Sequence, residues 1–463
     1  MITDLTEGKP SGLIIKFTLP MLASVIFQQL YTLADFIIAG KFVSLDALAA
    51  VGVAGMVTFL FMAFATGSNI GISVVVSQHF GAKDYEKTKT AVYTSLISMA
   101  TLAAVFTVAG VLISSPLLDM MNTDSSIKAP ALEYLNIYIF GLIFLFIYNT
   151  CNGAFSALGD STTPFIFLAI SSLSNISLDV VFVIFLDMGV AGVAWATFIC
   201  QGFASVAALT ALLLRLRRFE PGVKGRPFSF ALFKETARLA VPSILQQSFV
   251  SVGNIMIMAK VNTFNNDFVA AYSSCIKLNT FVINCCMTVG NAVSSYSAQN
   301  IGAGKLQRIK GGFRSGLVIG ESVALLVMTV FMIFPKAVIT LFLDTSRPEL
   351  IQGVIAAGKN FIYIVTPFYV LMTLKIISDG VLRGAGAMLE FTAGTFTSLF
   401  LRVLFSYVLG TLIGENGIWW AISIGWVLPS AMSYIFYKTG TWKRKVKKRR
   451  PPDGSGDLSN QLM

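Results

Sequence analysis

Carboxylate and amide side chains stand inside long apolar stretches of this chain, where an ionisable group is costly to bury and usually marks a pathway for ions or substrates. Asp35 lies in YTLADFIIAG, with no basic residue within one helical turn. Asn175 and Asp179 lie four residues apart in SLSNISLDVVF, a spacing that puts both on one helix face. A carboxylate beside an amide carbonyl suits Na⁺ or a relayed proton. We therefore predict an H⁺ or Na⁺ site at these residues.

Further polar side chains accompany these acids in the first half of the chain. Tyr31 lies one helical turn before Asp35, Asn149 and Asn152 lie three residues apart in IYNTCNGAF, and Thr197 lies in a later apolar stretch. Any one of them alone is typical of an ordinary hydrogen bond between membrane helices. Together they predict one buried acidic site in the first half.

The second half has a different set of charges and no acid that matches Asp35. Charged residues in or near its apolar stretches are Lys277, Glu321, Lys375, Asp379 and Arg402. Lys375 and Asp379 are four residues apart, so the simplest expectation is that they pair with each other. The alternative is that basic side chains here hold an acidic part of a substrate. The candidate substrate contacts are Gln246, Lys277, Lys375, Asp379 and Arg402.

Several kinds of chemistry lack their motifs in this sequence. It contains no G-x-x-x-x-G-K-[ST] loop, no HExxH, no GxSxG and no paired-cysteine metal motif. The five cysteines all fall in apolar stretches, without the spacing of a metal site. An intramembrane enzyme using Asp35 and Asp179 would need both carboxylates within a few ångströms of each other, and nothing in the pattern requires that. We expect no cofactor and no enzymatic activity, and any transport must draw on an ion gradient.

The elements that carry these residues are membrane-spanning helices. The chain is 55% hydrophobic and only 12% charged, with a mean hydropathy of +0.75, whereas soluble domains carry about 25% charged residues. Unbroken apolar runs of about 20 residues or more span a bilayer only as helices. We predict twelve spans, at 13–38, 47–77, 91–114, 132–157, 165–186, 190–214, 236–259, 268–298, 315–335, 352–379, 391–413 and 417–437.

Two motifs recur about half a chain apart. SQHFGAKD at 77–84 is repeated as AQNIGAGK at 298–305, and GAFSALGD at 153–160 as GVLRGAGA at 380–387. Pro20 and Pro242 occupy nearly equivalent positions, and Pro20 is expected to kink its helix. The fold class is therefore an all-α polytopic membrane protein, with twelve transmembrane helices in two pseudo-symmetric six-helix bundles. Such parallel repeats are typical of transporters with a site between two lobes.

From the repeats we predict a first lobe at 1–214, an inter-lobe linker at 215–233, a second lobe at 234–440 and a basic, disordered tail at 441–463, most of which lies outside the described residues. The net charge of +11 comes mainly from loops that face one side and from WKRKVKKRR in the tail. This bias predicts that both termini are cytoplasmic. It explains the basic charge through topology and contact with anionic membrane lipids, so we expect no nucleic-acid partner.

At these motifs the sequence resembles the multidrug and toxic compound extrusion (MATE) family of secondary exporters. The resemblance covers roughly residues 8 to 440 and rests on FQQLYTLADFIIAGKF, SQHFGAKD, NGAFSALGDSTTPF, NISLD, AQNIGAGK and GVLRGAG. It implies a V-shaped central cavity and export of small organic or drug-like compounds in exchange for H⁺ or Na⁺, by alternating access of two lobes. Lacking acids in its seventh span, the chain resembles the bacterial DNA-damage-inducible-F-like branch.

The resemblance also implies roles for individual residues. Asp35 matches the family's first-helix acid, and Asn175 and Asp179 match its fifth-helix pair. Tyr31, Asn149, Asn152 and Thr197 fall where family members place the rest of a first-lobe cation site. We expect a multi-pass protein of the bacterial inner membrane that functions as a monomer. The alternative function is a flippase of a lipid-linked saccharide from the same superfamily.

Overall fold

The computed structural model describes residues 3–38, 45–340 and 348–443, and within these ranges the chain is helical, with no strand. The helices of the first half are α1 Pro10–Ile38, α2 Leu45–Gly81, α3 Tyr85–Met120, α4 Ser125–Phe140, α5 Leu142–Ala157, α6 Thr162–Asp179 and α7 Gly189–Arg218. Those of the second half are α8 Phe230–Val261, α9 Asn266–Gly302, α10 Gln307–Ile333, α11 Pro335–Thr340, α12 Pro348–Val365, α13 Tyr369–Gly384, α14 Met388–Leu412 and α15 Glu415–Thr439. A π-helix, Val180–Phe185, continues α6, and a 3₁₀ turn, Thr366–Phe368, joins α12 to α13.

Each of the twelve predicted spans coincides with one of these helices or with two consecutive ones. In the described chain, ten helical segments are long and apolar enough to cross a membrane, and the pair α4 and α5, bent by 47°, brings the number to eleven. The remaining predicted span is α9, which is not among them. Most of its side chains are buried, including every residue from 292 to 301. Since protein rather than lipid surrounds those residues, α9 keeps polar side chains that a lipid-facing helix would lack.

The repeated motifs form the same backbone structure in both halves. At the end of α2, the N–H of Asp84 donates to the carbonyl of His79 (3.1 Å); at the end of α9, the N–H of Lys305 donates to the carbonyl of Asn300 (2.8 Å). The residue before each donor is left-handed, Lys83 with φ of 58° and Gly304 with φ of 76°. This is the Schellman helix end, and the other motif pair repeats it with left-handed glycines at 159 and 386. The internal duplication is thus structural as well as sequential.

The chain separates into two compact units whose boundaries lie inside α1 and α8. The first unit comprises Leu19–Ile244 and the residues before Leu5, and the second comprises Leu5–Thr18 and the chain from Leu245 onward. The boundaries fall within a few residues of Pro20 and Pro242, the prolines inside these two helices. The beginning of each unit's first long helix therefore belongs to the other unit.

Each unit has its own apolar core. In the first, Phe106 packs its ring against Phe64 and Phe146, edge to face, between α2, α3 and α5. In the second, the fully buried Trp419 of α15 stacks on Tyr272 of α9 and meets further aromatic rings around it. Aromatic rings bury large areas in fixed geometries, so these clusters hold the helices of each unit in register.

The stretch ahead of α1, residues 3–9, is called the N-terminal segment, and from Leu5 onward it belongs to the second unit. Leu5 is 1% exposed. Its N–H donates to Oε1 of Gln299 at 2.8 Å, and its carbonyl accepts from Nδ2 of Asn300 at 3.1 Å. Both partners lie in AQNIGAGK, so the motif at the end of α9 binds the N-terminal segment.

Two basic side chains hold the rest of the N-terminal segment. Nζ of Lys305 donates to the carbonyl of Thr6 at 3.1 Å, and Nη2 of Arg308 donates to that of Gly8 at 2.8 Å. Bonds from a charged donor are stronger than neutral ones, so the segment is fastened by charge as well as by burial.

The inter-lobe linker is fastened in a comparable way, to the first unit. Nζ of Lys89, near the start of α3, donates to the carbonyls of Glu220 and Val223, both at 2.9 Å. The N–H of Arg226 donates to Oγ1 of Thr90 at 2.9 Å. The linker, which its proline and glycine content predicts to be irregular, thus has a defined path along α3.

Candidate functional site

The predicted fifth-span pair lies where an α-helix changes into a π-helix. Asp179 is fully buried and Asn175 is 2% exposed. Asp179 is the last residue of α6, and Val180–Phe185 follows as a π-helix. Single π-helical turns inside membrane or soluble helices occur frequently at functional sites, because they shift the backbone hydrogen-bond register. The carboxylate is therefore placed at a distinctive point of the span rather than within a uniform helix.

The first-helix acid is only partly covered by the structure. Asp35 lies in α1, but its side chain is outside the described part of the molecule, and its role stays a prediction. Tyr31, one turn earlier, is half-buried. Pro20 lies inside α1, which continues on both sides of it, and Oγ of Ser24 donates to the Pro20 carbonyl at 3.0 Å. Proline has no N–H and so removes one backbone hydrogen bond of the helix. The Ser24 hydroxyl binds a carbonyl close to that missing bond.

The remaining predicted residues of the first lobe lie on α5 and α7. Asn149 and Asn152 are both half-buried on α5, and Thr197 is half-buried on α7. Nδ2 of Asn149 donates to the carbonyl of Leu145 at 2.9 Å, so part of its amide is used within its own helix. That all seven predicted residues form one cation site stays a prediction.

A polar residue absent from the sequence prediction stands close to this region. Gly153 of α5 packs against Asn69 of α2: a Cβ on the glycine would lie 3.0 Å from both the backbone and the side-chain oxygen of Asn69. Glycine at this position permits the close approach of the two helices. Asn69 of α2 therefore lies against α5 at Gly153, the residue that follows Asn152. It adds an amide to the polar groups of the first unit.

The predicted pair in the second half is confirmed, and it is part of a wider network. Nζ of Lys375 lies 2.5 Å from Oδ2 of Asp379, and Oδ1 of Asp379 accepts a hydrogen bond from Oγ of Ser433 at 2.7 Å. Nζ of Lys375 also lies 3.4 Å from Oγ1 of Thr395, which accepts from Nε2 of Gln246 at 3.0 Å. Polar groups from α8, α13, α14 and α15 thus meet inside the second unit.

The other charged candidates occupy different places in the second unit. Nη2 of Arg402 on α14 lies 3.4 Å from Oδ1 of Asn254 on α8. Lys277 is exposed on α9, and Glu321 on α10 is half-buried, with an Oε2 that has no hydrogen-bond partner in the described chain. The structure therefore joins Gln246, Lys375 and Asp379 in one network.

Sequence reasoning overlooked several members of this network. Thr395 and Ser433 are uncharged and common, so no pattern distinguishes them from other helix residues. Arg383, one turn beyond Asp379, is 2% exposed and lies in the repeated GVLRG motif. Its burial was foreseeable from the spacing, because residues 375, 379 and 383 recur every four positions and so share a helix face.

The described ranges also bear on the requirements of a metal cluster. They contain no group of three or more His, Cys, Asp or Glu side chains that would hold a metal ion. The five cysteines are free and buried. A monovalent ion needs no such cluster, since carboxylate and carbonyl oxygens suffice, so Na⁺ and H⁺ both fit the chemistry of Asn175 and Asp179.

Comparison with known proteins places these features in a family. The family model described as MatE matches residues 20–181 and 242–408, one match in each half. The chain is similar to the probable multidrug resistance protein YpnP of Bacillus subtilis, with 28% identity over 95% of this chain and 97% of that protein. A more distant relative is the FAD transporter of Shewanella oneidensis, 22% identical over 64% of this chain and 66% of that protein.

A solved structure supports the same fold. A transporter of the MOP superfamily from Pyrococcus furiosus aligns with a TM-score of 0.88 and 23% identity, covering 97% of this chain and 98% of that one. At this identity the likeness concerns the fold alone. It confirms the predicted architecture of membrane helices in two bundles.

Proposed function

Because this chain belongs to the MATE family of transporters, we propose that it exports organic compounds from the cytoplasm or inner leaflet in exchange for H⁺ or Na⁺. The chain is a multi-pass membrane protein and a transporter, not an enzyme. Binding of the ion at Asp35 and Asp179 would bend α1 near Pro20 and lower the affinity for the substrate. Exchange requires only that ion and substrate bind differently to inward-open and outward-open states.

The observation that carries this proposal is Asp179. It is fully buried in an apolar membrane span, one helical turn after Asn175 and at the start of a π-helix. A carboxylate in that position is expensive to keep unless its charge is neutralised by an ion, a proton or a partner. A site whose charge changes when the ion arrives is what coupling to an ion gradient requires.

The setting follows from the sequence. We place both termini in the cytoplasm, because basic residues concentrate in the loops on that side, and the chain in the bacterial inner membrane as a monomer in contact with lipid. The relatives point to organic substrates, since one is a probable multidrug resistance protein and another is an FAD transporter. The lipid-linked saccharide flippase is not favoured, since the matching family model is MatE.

The test is dye efflux from proteoliposomes that contain the purified full chain, with Na⁺ and pH gradients imposed separately. We expect one gradient to drive efflux in the wild type. Asp35→Asn and Asp179→Asn should each abolish driven efflux, because the amide cannot release a proton and binds Na⁺ more weakly. Asp187→Asn is the matched control: Asp187 is exposed in the turn after the π-helix.

Two results would count against the proposal. Driven efflux by Asp179→Asn at the wild-type rate would remove Asp179 from the coupling site. A folded wild-type protein that neither binds nor moves any dye under either gradient would contradict the export function itself.

A further inference from the structure

Three ionisable side chains of the second unit occupy one face of α13. Lys375, Asp379 and Arg383 follow one another at four-residue intervals and are 9%, 3% and 2% exposed. When all three are ionised, two cations accompany one carboxylate, so the face carries one net positive charge. Buried charge is costly unless it is paired. One cation would be enough to neutralise Asp379, and the second requires an explanation.

The contacts of the two cations are unequal. Lys375 Nζ lies 2.5 Å from Oδ2 of Asp379, whose Oδ1 accepts from Ser433. Arg383 has a buried Nε with no hydrogen-bond partner among the described residues. Its guanidinium carbon lies 5.4 Å from the centroid of the Phe391 ring, and Asp379 is the carboxylate that attracts it electrostatically. Lys375 holds the carboxylate, whereas Arg383 makes no ion pair with it in the described structure and acts on it through longer-range attraction.

This arrangement allows the ion pair to exchange partners. Each cation lies one helical turn from Asp379, so either one can compensate its charge. If Lys375 turns away, Asp379 retains the positive charge of Arg383 and the hydrogen bond from Ser433. The large penalty for leaving one member of a buried pair without a counter-charge is thereby reduced. Lys375 is therefore able to pair with an anion other than Asp379.

We propose that Lys375 binds the anionic group of the exported compound, with Asp379 as its partner when the compound is absent and Arg383 as the substitute counter-charge of Asp379. The substrate class is an organic anion, an apolar body that bears a carboxylate or a phosphate. This inference rests on the export function proposed above and narrows its substrates. According to this inference, the second unit recognises the substrate, whereas the acidic site of the first unit binds the coupling ion.

The surroundings of Lys375 suit such a ligand. Thr395 lies between Lys375 Nζ and Gln246 Nε2, at 3.4 Å and 3.0 Å from Oγ1, and supplies a hydroxyl beside the cation. Arg402 lies seven residues after Thr395 on the same face of α14, about 10 Å along the helix axis, and contacts Asn254. Lys375 of α13, next to Thr395, and Arg402 of α14 thus provide two cations with amide and hydroxyl neighbours, which fit an extended molecule that carries negative charge.

A purely structural ion pair predicts different behaviour. Neutralising either partner would destabilise the fold, and neutralising both would restore it, with no effect on which charged compounds bind. An exchanging pair instead predicts that the two substitutions have opposite effects on anion binding. The direction of these effects separates the two roles.

The probes are fluorescent compounds of two ring systems, flavin and xanthene, each represented by members of different charge. Flavin mononucleotide and riboflavin share a ring and differ by one phosphate, carboxyfluorescein supplies a carboxylate, and rhodamine 6G is the cationic reference. Binding is measured with the purified full chain, and efflux with proteoliposomes. Comparison of flavin mononucleotide with carboxyfluorescein shows which of the two anionic groups is recognised.

We expect the wild type to bind at least one anion about tenfold or more tightly than its reference, as a charge-assisted hydrogen bond implies. Lys375→Met should weaken that binding by about the same factor and leave rhodamine 6G unaffected. Asp379→Asn should strengthen it, because Lys375 then lacks a competing carboxylate. Lys260→Met is the control, a cation of the same unit that lies over the Phe264 ring.

The outcomes distinguish this inference from the function on which it rests. If rhodamine 6G is exported and both anions are neither bound nor exported, the anionic substrate class is wrong and the export function stands. If no probe moves or binds, the export function fails. If Lys375→Met does not fold, Asp379→Asn still decides, because unchanged or weaker anion binding by that folded variant overturns the exchange.

Discussion

Asn300 holds the N-terminal segment with both ends of its amide. Nδ2 donates to the carbonyl of Leu5 at 3.1 Å, and Oδ1 accepts from Nε of Arg308 at 3.0 Å. Asn300→Ala removes both bonds, together with the Nδ2 bond to the Tyr296 carbonyl at 2.8 Å, and leaves the buried Leu5 carbonyl with one partner fewer. One net hydrogen bond is worth about 1 kcal/mol, and a buried group left unsatisfied costs about 1–3 kcal/mol. Because only the bond to Leu5 joins Asn300 to the segment, we expect local detachment of the segment to become easier by about 1–3 kcal/mol, a roughly 5- to 160-fold larger detached population.

The assay is the rate at which a maleimide labels Thr6→Cys in the purified protein. Thr6 is 3% exposed, so labelling should proceed from the detached state alone. The five native cysteines are buried, which keeps the background low. Adding Asn300→Ala should raise the rate by the factor above. Lys310→Ala is the matched control, since Lys310 is exposed on the first turn of α10.

Two results would refute this reasoning. Rapid labelling of Thr6→Cys alone would show that the segment is detached most of the time. An unchanged rate in the Asn300→Ala background, with Lys310→Ala equally unchanged, would show that the amide contributes nothing to holding the segment.

Two further predictions concern packing and the inter-lobe linker. Gly417→Ala should prevent correct packing of α14 and α15, because a Cβ there would overlap the backbone of Leu409 and Gly410. The control Gly55→Ala should fold normally, since nothing lies within 4 Å of its added Cβ. Fluorescence-detected size-exclusion chromatography measures the folding of both variants. Lys89→Met removes two charge-assisted hydrogen bonds to linker carbonyls, each worth about 1.5–3 kcal/mol. Trypsin should then cut the linker about tenfold faster or more, whereas Lys87→Met, which loses only an exposed ion pair with Asp84, should leave the rate unchanged.

The helices and their duplication were predictable because they depend on local pattern. Apolar runs of bilayer length predict spans wherever lipid is the neighbour, and the glycines of GAFSALGD and GVLRGAGA mark equivalent left-handed helix ends. By mean hydropathy α9 falls short of a membrane span. Mean hydropathy reflects affinity for lipid, whereas most of α9 is surrounded by protein. The apolar run at 268–298 nevertheless predicted α9, and AQNIGAGK marks the end of the helix.

Side-chain partners that join distant parts of the chain were less predictable. The pairing of Lys375 with Asp379 follows from their spacing on one helix. Ser433 and Thr395 come from other helices, and no local pattern relates their positions to Asp379. The attachment of Leu5 to Gln299 is the extreme case, since the two residues are 294 positions apart. The sequence repeat singled out AQNIGAGK as a motif. It could not indicate that this motif binds the N-terminal segment.

The exchange of helix beginnings between the two units has a consequence for biosynthesis. Leu5, Ile14 and Phe17 are buried in the second unit, yet they leave the ribosome well before the rest of it, and Leu5 meets Gln299 only after 294 further residues have been made. At about 5–20 residues per second, that interval is roughly 15–60 s. A nascent chain ending before α9 therefore exposes these apolar residues, and separately expressed halves would each lack a part that the other encodes. Translation must reach the end of α9 before α1 can complete its packing.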